Sequence, residues 1–188
     1  IVSITAMKPT EEQLIMACRK NDSRAFQSIY ELYAPKMMGV CLRYMHNREE
    51  AEDVLQESFI KVYLNIGQFR FNGSFEGWIR RIVVNVSLNR LRDDAKKECK
   101  LPGDDMLDVI NTINTYTDDQ YNYTMEDMLC AIQQLSNMNR IVFNLAEIEG
   151  YTTQEIAEKL ELSEHTIRAT LSRAKAILRT NLERRNNK

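Results

Sequence analysis

Between Cys99 and Tyr123 the helical rhythm of this chain stops. The stretch "CKLPGDDMLDVINTINTYTDDQYNY" holds a Pro-Gly pair, repeated Asp, Asn and Thr, and no apolar stripe of useful length. On either side of it, apolar residues recur every three or four positions, the period of a helix with one buried face. A chain interrupted in this way predicts two small helical cores joined by a linker, flexible or transiently ordered. Charge follows the same division. Residues 1–100 carry sixteen Lys/Arg against thirteen Asp/Glu, residues 101–135 carry seven acids and no base, and residues 164–188 carry seven bases against two acids. The overall net charge of −2 therefore hides two modules with basic ends around an acidic connector.

Six glycines and three prolines in 188 residues are too few for a loop-rich β protein, and the fold class expected is all-α. No apolar run approaches the roughly 20 residues of a membrane span, and nothing resembles a signal peptide. The first residue is Ile, which leaves the natural start open. Cys18, Cys41, Cys99 and Cys130 show no paired spacing, and only His46 and His165 accompany them. Zinc sites and disulfide frameworks are thus disfavoured, and buried, reduced thiols of a cytosolic protein expected.

Caps and periodicity place the helices. Thr10 with Gln13 forms a capping-box pattern for a short helix to about Lys20. Asn21-Asp22-Ser23 opens the next, which Pro35 should bend or restart before Met45. Asn47 with Glu50 caps a third, facing Ala51, Val54, Leu55, Ser58, Phe59 and Val62 inward and ending at Gly67. A loop from Gln68 to Ser74 leads into a fourth, expected to reach about Lys97. Beyond the linker, Thr124 caps a helix to about Leu135, Ser136 or Asn137 caps one ending at Gly150, and Thr153 and Ser163 cap the last two. The expected domains are an N-terminal tail with a short helix (1–21), a first domain (22–98), an acidic linker (99–123) and a second domain (124–188).

The fourth helix carries a contradiction. Ile79, Ile82, Val83 and Val86 flank one side and Val84, Leu88 and Leu91 the other, as a core helix requires. Yet Arg81, Asn85, Asn89 and Arg92 fall close to one meridian between them. Asn is a poor helix former and costly to bury unpaired. The row either mends local structure or meets an outside partner.

The C-terminal "YTTQEIAEKLELSEHTIRATLSRAKAIL" has the grammar of a helix-turn-helix. Ile156, Ala157 and Leu160 face inward from its first helix, Leu162 plugs the turn, and Ile167, Leu171, Ala174 and Leu178 form the inward stripe of its second. The opposite arc presents His165, Arg168, Ala169, Ser172, Lys175 and Arg179, residues suited to a DNA major groove. The competing reading is an ordinary helical hairpin with a solvated basic face. Glu161 stands where such a turn often takes a glycine, a modest backbone cost.

Taken together, "AEDVLQESFIKVY", "FEGWIRRIVVNVSLNRLR" and the terminal helix-turn-helix resemble the extracytoplasmic-function (ECF) sigma factors of the sigma-70 family, the small promoter-specificity subunits of bacterial RNA polymerase. The similarity spans about residues 22–97 and 124–182. It implies sigma domain 2 followed by a helix-turn-helix sigma domain 4, and three jobs. Asp53, Gln56 and Glu57 match the segment that docks on the polymerase β′ coiled coil, where charge complementarity sets register; a solvated helix face is the alternative.

The second job is capture of the −10 element as it melts. The resemblance implies that Phe69, Phe71, Asn72, Gly73, Ser74 and Phe75 pocket an extruded base, that Asn85 reads the upstream −10 position with Asn89 one turn on, and that Arg80, Arg81, Arg90 and Arg92 hold phosphates. For Phe75 and Trp78 plain core packing is the alternative, and for Trp78 it is the preferred reading. Third, the last helix should read the −35 element as duplex through His165, Arg168, Ala169, Thr170, Ser172, Arg173 and Lys175, with Ala169-Thr170 replacing the frequent Ser-Arg pair.

Implied partners are core RNA polymerase (β′ coiled coil and β flap), promoter DNA and an anti-sigma factor, often membrane-anchored, in the bacterial cytoplasm. The linker's negative charge either mimics nucleic acid near the polymerase RNA path or keeps an unfolded strip soluble. The rival function is a stand-alone helix-turn-helix regulator, which would bind symmetric duplex sites without polymerase. An enzyme finds little support. No Gly-rich loop with a lysine, nucleophile–base pair or metal-ligand spacing is visible, and no cofactor, metal or small-molecule substrate is expected.

Overall fold

The computed structural model of the chain describes residues 9–98 and 123–186. Among the described residues all regular elements are helical, as the composition demands. The chain forms two compact units. The first comprises residues 9–41 and 49–87, the second residues 42–48, 88–98 and 123–186. The expected linker lies, but for Tyr123, outside the described residues.

In the first unit, α1 (Glu11–Cys18) begins with the expected capping box: the Gln13 amide donates to the Thr10 hydroxyl at 3.3 Å and the Thr10 amide to the Gln13 side chain at 2.9 Å. Asp22 starts α2 (Ser23–Tyr44) by accepting from the amides of Arg24 and Ala25. Of the two outcomes expected at Pro35, the restart does not occur. α2 runs through Pro35 without a break. Pro35 and Glu31 are both exposed, so the Glu31 carbonyl that the ring nitrogen cannot serve lies on the water side of the helix.

α3 (Arg48–Asn65) buries the expected stripe of Ala51, Val54, Leu55, Ser58, Phe59 and Val62. Ser58 is tolerated there because its hydroxyl donates to the Val54 carbonyl at 2.6 Å. Gly67, expected to end this helix, instead sits inside a short 3₁₀ turn, Ile66–Gln68. α4 (Phe75–Glu98) follows. At 24 residues it is about 36 Å long, more than one small core can cover, and the boundary between the compact units falls inside it.

In the second unit, α5 (Met125–Gln133) is capped reciprocally by Thr124 and Asp127. α6 (Asn137–Phe143) passes into a π-helical stretch, Asn144–Ile148, so the single helix expected to reach Gly150 changes its winding midway. α7 (Thr153–Leu160) is capped one residue earlier than expected. Thr152 rather than Thr153 holds the first turn, because Glu155 stands three residues on and completes the exchange of bonds. α8 (Glu164–Asn186) starts from Ser163, whose hydroxyl accepts the Thr166 amide at 3.1 Å. Ala131, Ile132 and Leu135 pack with Ala174, Leu178 and Leu182 as one buried cluster, which fixes α8 against α5.

Candidate nucleic-acid interface

Burial on α4 follows the two apolar stripes. Ile79, Val83, Val84, Val86, Leu88 and Leu91 are each at most 3% exposed, whereas Arg81, Asn85 and Asn89 stand in solvent. Arg80 and Arg90 are half-buried beside them, and Arg92, expected on the same row, is half-buried and donates through Nη2 to the Lys159 carbonyl. The amide row therefore satisfies no core requirement. It is an exposed edge on a helix otherwise committed to packing, and its side chains are available to a ligand at no burial cost.

The loop ahead of α4 is built on a cluster of rings. Phe69 is buried, and its ring centroid lies 5.1 Å from Phe71, 5.0 Å from Phe75 and 5.7 Å from Trp78. The chain then turns sharply. Phe71 adopts a left-handed backbone with φ of 58° and Gly73 follows at 98°. For an aromatic L-residue that conformation costs about 1–2 kcal/mol and persists only where neighbours over-determine it. Its consequence is to throw the Phe71 ring outward, 42% exposed, with Asn72 and Ser74 also in solvent. Ser74 ends the turn by accepting the Gly77 amide at 3.2 Å.

Phe75 does not belong with these residues. It is 1% exposed and packs edge-on to Tyr33 and flat against Trp78, with rings 13° from parallel. No base can reach its faces, and its place is the hinge of the core under the loop. Trp78, half-buried on the same cluster, fits the packing reading preferred for it.

In the second unit, the helix-turn-helix closes through Glu161. This residue takes the left-handed conformation (φ 58°, ψ 40°) where a glycine is usual, and the Leu162 amide reaches back to the Ala157 carbonyl at 3.0 Å. His165, Arg168, Ala169, Ser172, Lys175 and Arg179 share the exposed arc of α8 as periodicity predicted. Thr170 departs from expectation. It is 7% exposed, on the inward side with Ile167 and Ala174, and offers nothing to a groove. Arg173 is half-buried at the edge of the arc. Arg168 pairs with Glu164 at 2.5 Å and Lys175 with Glu147 at 2.8 Å. Exposed pairs of this kind are worth at most about 1 kcal/mol and yield readily to a phosphate.

Asp53, Gln56 and Glu57 are exposed along α3, with Glu57 paired to Lys61 at 2.7 Å. The structure adds two neighbours that the sequence reading passed over. Ile60 is 60% and Leu64 71% exposed, continuing the same line of positions 53, 57, 60 and 64. The signal was present, because both fall out of phase with the buried stripe at 51, 55, 58 and 62.

Among the described residues, Cys18, Cys41 and Cys130 are not joined in disulfides, no group of three or more His, Cys, Asp or Glu could hold a metal, and no helix is long and apolar enough to cross a membrane. Burial, with Asp22 nearby, pushes the Cys18 thiol above its ordinary pKa, which favours the inert, protonated form.

An all-helical chain that pairs an exposed amide edge beside an aromatic loop with a separate helix-turn-helix has the build of a two-site DNA-binding protein. Family comparison makes this specific. Residues 29–97 match the family model for sigma-70 region 2, and residues 125–178 match that for sigma-70 region 4. The RNA polymerase sigma-H factor of Pseudomonas aeruginosa is 30% identical over 176 residues, covering 88% of this chain and 90% of that protein. The ECF RNA polymerase sigma factor SigW of Bacillus subtilis is 28% identical over 179 residues, covering 89% and 94% respectively. Among solved structures, the sigma factor RpoE of Bartonella quintana, crystallised with the anti-sigma factor NepR, shares the fold with a TM-score of 0.52 at 19% identity, over 84% of this chain and 96% of that one. The chain belongs to the ECF group of the sigma-70 family. It is an alternative sigma factor, a promoter-directing initiation factor from a non-enzymatic family, and the stand-alone regulator is set aside.

Proposed function

We propose that the chain directs core RNA polymerase to promoters by dividing three contacts among three surfaces. The exposed line of α3 from Asp53 through Gln56, Glu57, Ile60 and Leu64 docks on the polymerase β′ coiled coil. The loop residues Phe71, Asn72 and Ser74 with the α4 row Arg81, Asn85 and Asn89 hold the unpaired −10 strand, flanked by Arg80, Arg90 and Arg92 near the phosphates. The α8 arc from His165 to Lys175 reads the −35 duplex, with Thr170 omitted because it is buried. The chain itself catalyses no reaction. It works in the bacterial cytoplasm and is held in reserve by an anti-sigma protein covering the α3 face.

The observation that carries this reading is the amide row. Asn85 and Asn89 are kept in solvent on a helix that buries Ile79, Val83, Val84, Val86, Leu88 and Leu91 around them. The energetics suit strand capture. Unstacking costs about 1–2 kcal/mol per step, and stacking on an aromatic returns about 1–3 kcal/mol per base. The exchange is close to balanced, so a few amide hydrogen bonds decide which sequence stays open.

The test is transcription from mapped promoters by purified core polymerase with the full chain. Asn85→Ala should lower open-complex formation about tenfold, as for a lost base-reading pair, and leave affinity for core polymerase unchanged. Equal losses in both measurements would refute the assignment of Asn85.

A further inference from the structure

α1 lies ahead of the residues that match the sigma-70 region 2 model, which begins at position 29, and sequence reading gave it no role. The structure assigns one to the residue that ends it. We propose that Arg19 is a positioning residue for strand capture, latching the loop so that the Phe71 ring is presented to an extruded base. The proposal rests on the strand-capture reading above and adds the element that sets the loop.

The geometry is specific to a guanidinium. Arg19 Nε donates to the Ile66 carbonyl at 3.4 Å, and Nη2 donates to the Phe69 carbonyl. Its Cζ sits 5.0 Å from the centroid of the Phe71 ring, over the face. One planar group thus ties down both ends of the segment entering the turn and covers the residue with the left-handed backbone. Phe69 takes another side of the ring at 5.1 Å, and 42% of Phe71 is left for a ligand. The latch has a fixed base, since Leu14, Ile15 and Cys18 bury α1 in the core of the unit. Arg19 itself is half-buried, too enclosed for a freely sweeping surface cation. Electronically, a cation over one face of Phe71 also prepares the ring to stack on an electron-rich base.

A lysine could keep the charge but not the two-directional fork, and that difference makes the test. Arg19→Ala and Arg19→Lys, each alone and combined with Phe71→Ala, are assayed in the full chain with core polymerase. The readouts are open-complex formation on duplex promoter, binding of a promoter already unpaired at the −10 element, and affinity for core polymerase. Both single Arg19 variants should weaken capture of the unpaired strand about five- to tenfold, the scale of one partly exposed cation–π contact with a charged hydrogen bond. Core-polymerase affinity should hold, which also certifies the fold. In the Phe71→Ala background neither Arg19 change should cost more than about twofold. Full activity of Arg19→Lys would overturn the proposal in favour of simple phosphate attraction, and so would an undiminished Arg19→Ala loss in the Phe71→Ala background. Should Phe71→Ala alone leave capture intact, the strand-capture assignment of the loop falls and Arg19 with it, whereas an inert Arg19 beside a damaging Phe71→Ala sinks the latch alone.

Discussion

Glu161 offers the cleanest quantitative test of how the helix-turn-helix is set. Its backbone lies in the left-handed region at φ 58° and ψ 40°, and its amide and that of Leu162 both reach the Ala157 carbonyl. For a residue with a Cβ this conformation costs about 1–2 kcal/mol. Glycine escapes that penalty but gains unfolded-chain freedom, which returns about 0.4–1 kcal/mol. The net expected for Glu161→Gly is about 1 kcal/mol of added stability. Removing a negative charge from the carboxyl end of α7, where the helix dipole disfavours it, adds a few tenths of a kcal/mol. Glu161→Ala separates these effects, because alanine loses the charge and keeps the Cβ. Hydrogen exchange of the α7 and α8 amides in the full chain reads the local stability. Glu161→Gly should slow exchange about fivefold, and Glu161→Ala by less than twofold. Glu161→Asn should fall between them, since asparagine tolerates the left-handed region. If glycine and alanine behave alike, backbone strain at this turn is not what the native glutamate tolerates, and the turn is held by something other than the bonds to Ala157.

Two further outcomes follow from packing and titration. Phe75→Ala should cost the first unit about 3–5 kcal/mol in urea unfolding followed by Trp78 fluorescence, as for any large ring removed from a core; a mild loss of stability with a large loss of promoter opening would return Phe75 to the DNA face. Glu155 is held below the usual carboxylate range, first by the Thr152 amide and then by the Thr152 hydroxyl. A lowered folded pKa means that its contribution to the cap is present above the ordinary glutamate value and is lost as pH falls through the folded one. The Thr152 amide resonance should therefore titrate in acid with a midpoint below that of an exposed glutamate, and Glu155→Gln should abolish the titration.

Much of this protein was determined by its sequence alone. The helices at Thr10, Thr124 and Ser163 start where a side-chain oxygen meets an orphan amide, a rule that needs no tertiary partner. The exposed row on α4 and the arc on α8 followed from a period of 3.6, because solvent and core sort a helix by angle. What only the tertiary structure decided were contacts between segments far apart in sequence. Phe75 turned inward because Tyr33 of α2 closes over it, and Thr170 lies on the core side of a helix whose register is set by α5. Arg19 became a latch because the fold carries it to carbonyls 47 and 50 residues away. Periodicity encodes which way a side chain faces. It does not encode what stands opposite, and a loop with no period, such as the one carrying Phe71, takes its conformation from the groups that close around it.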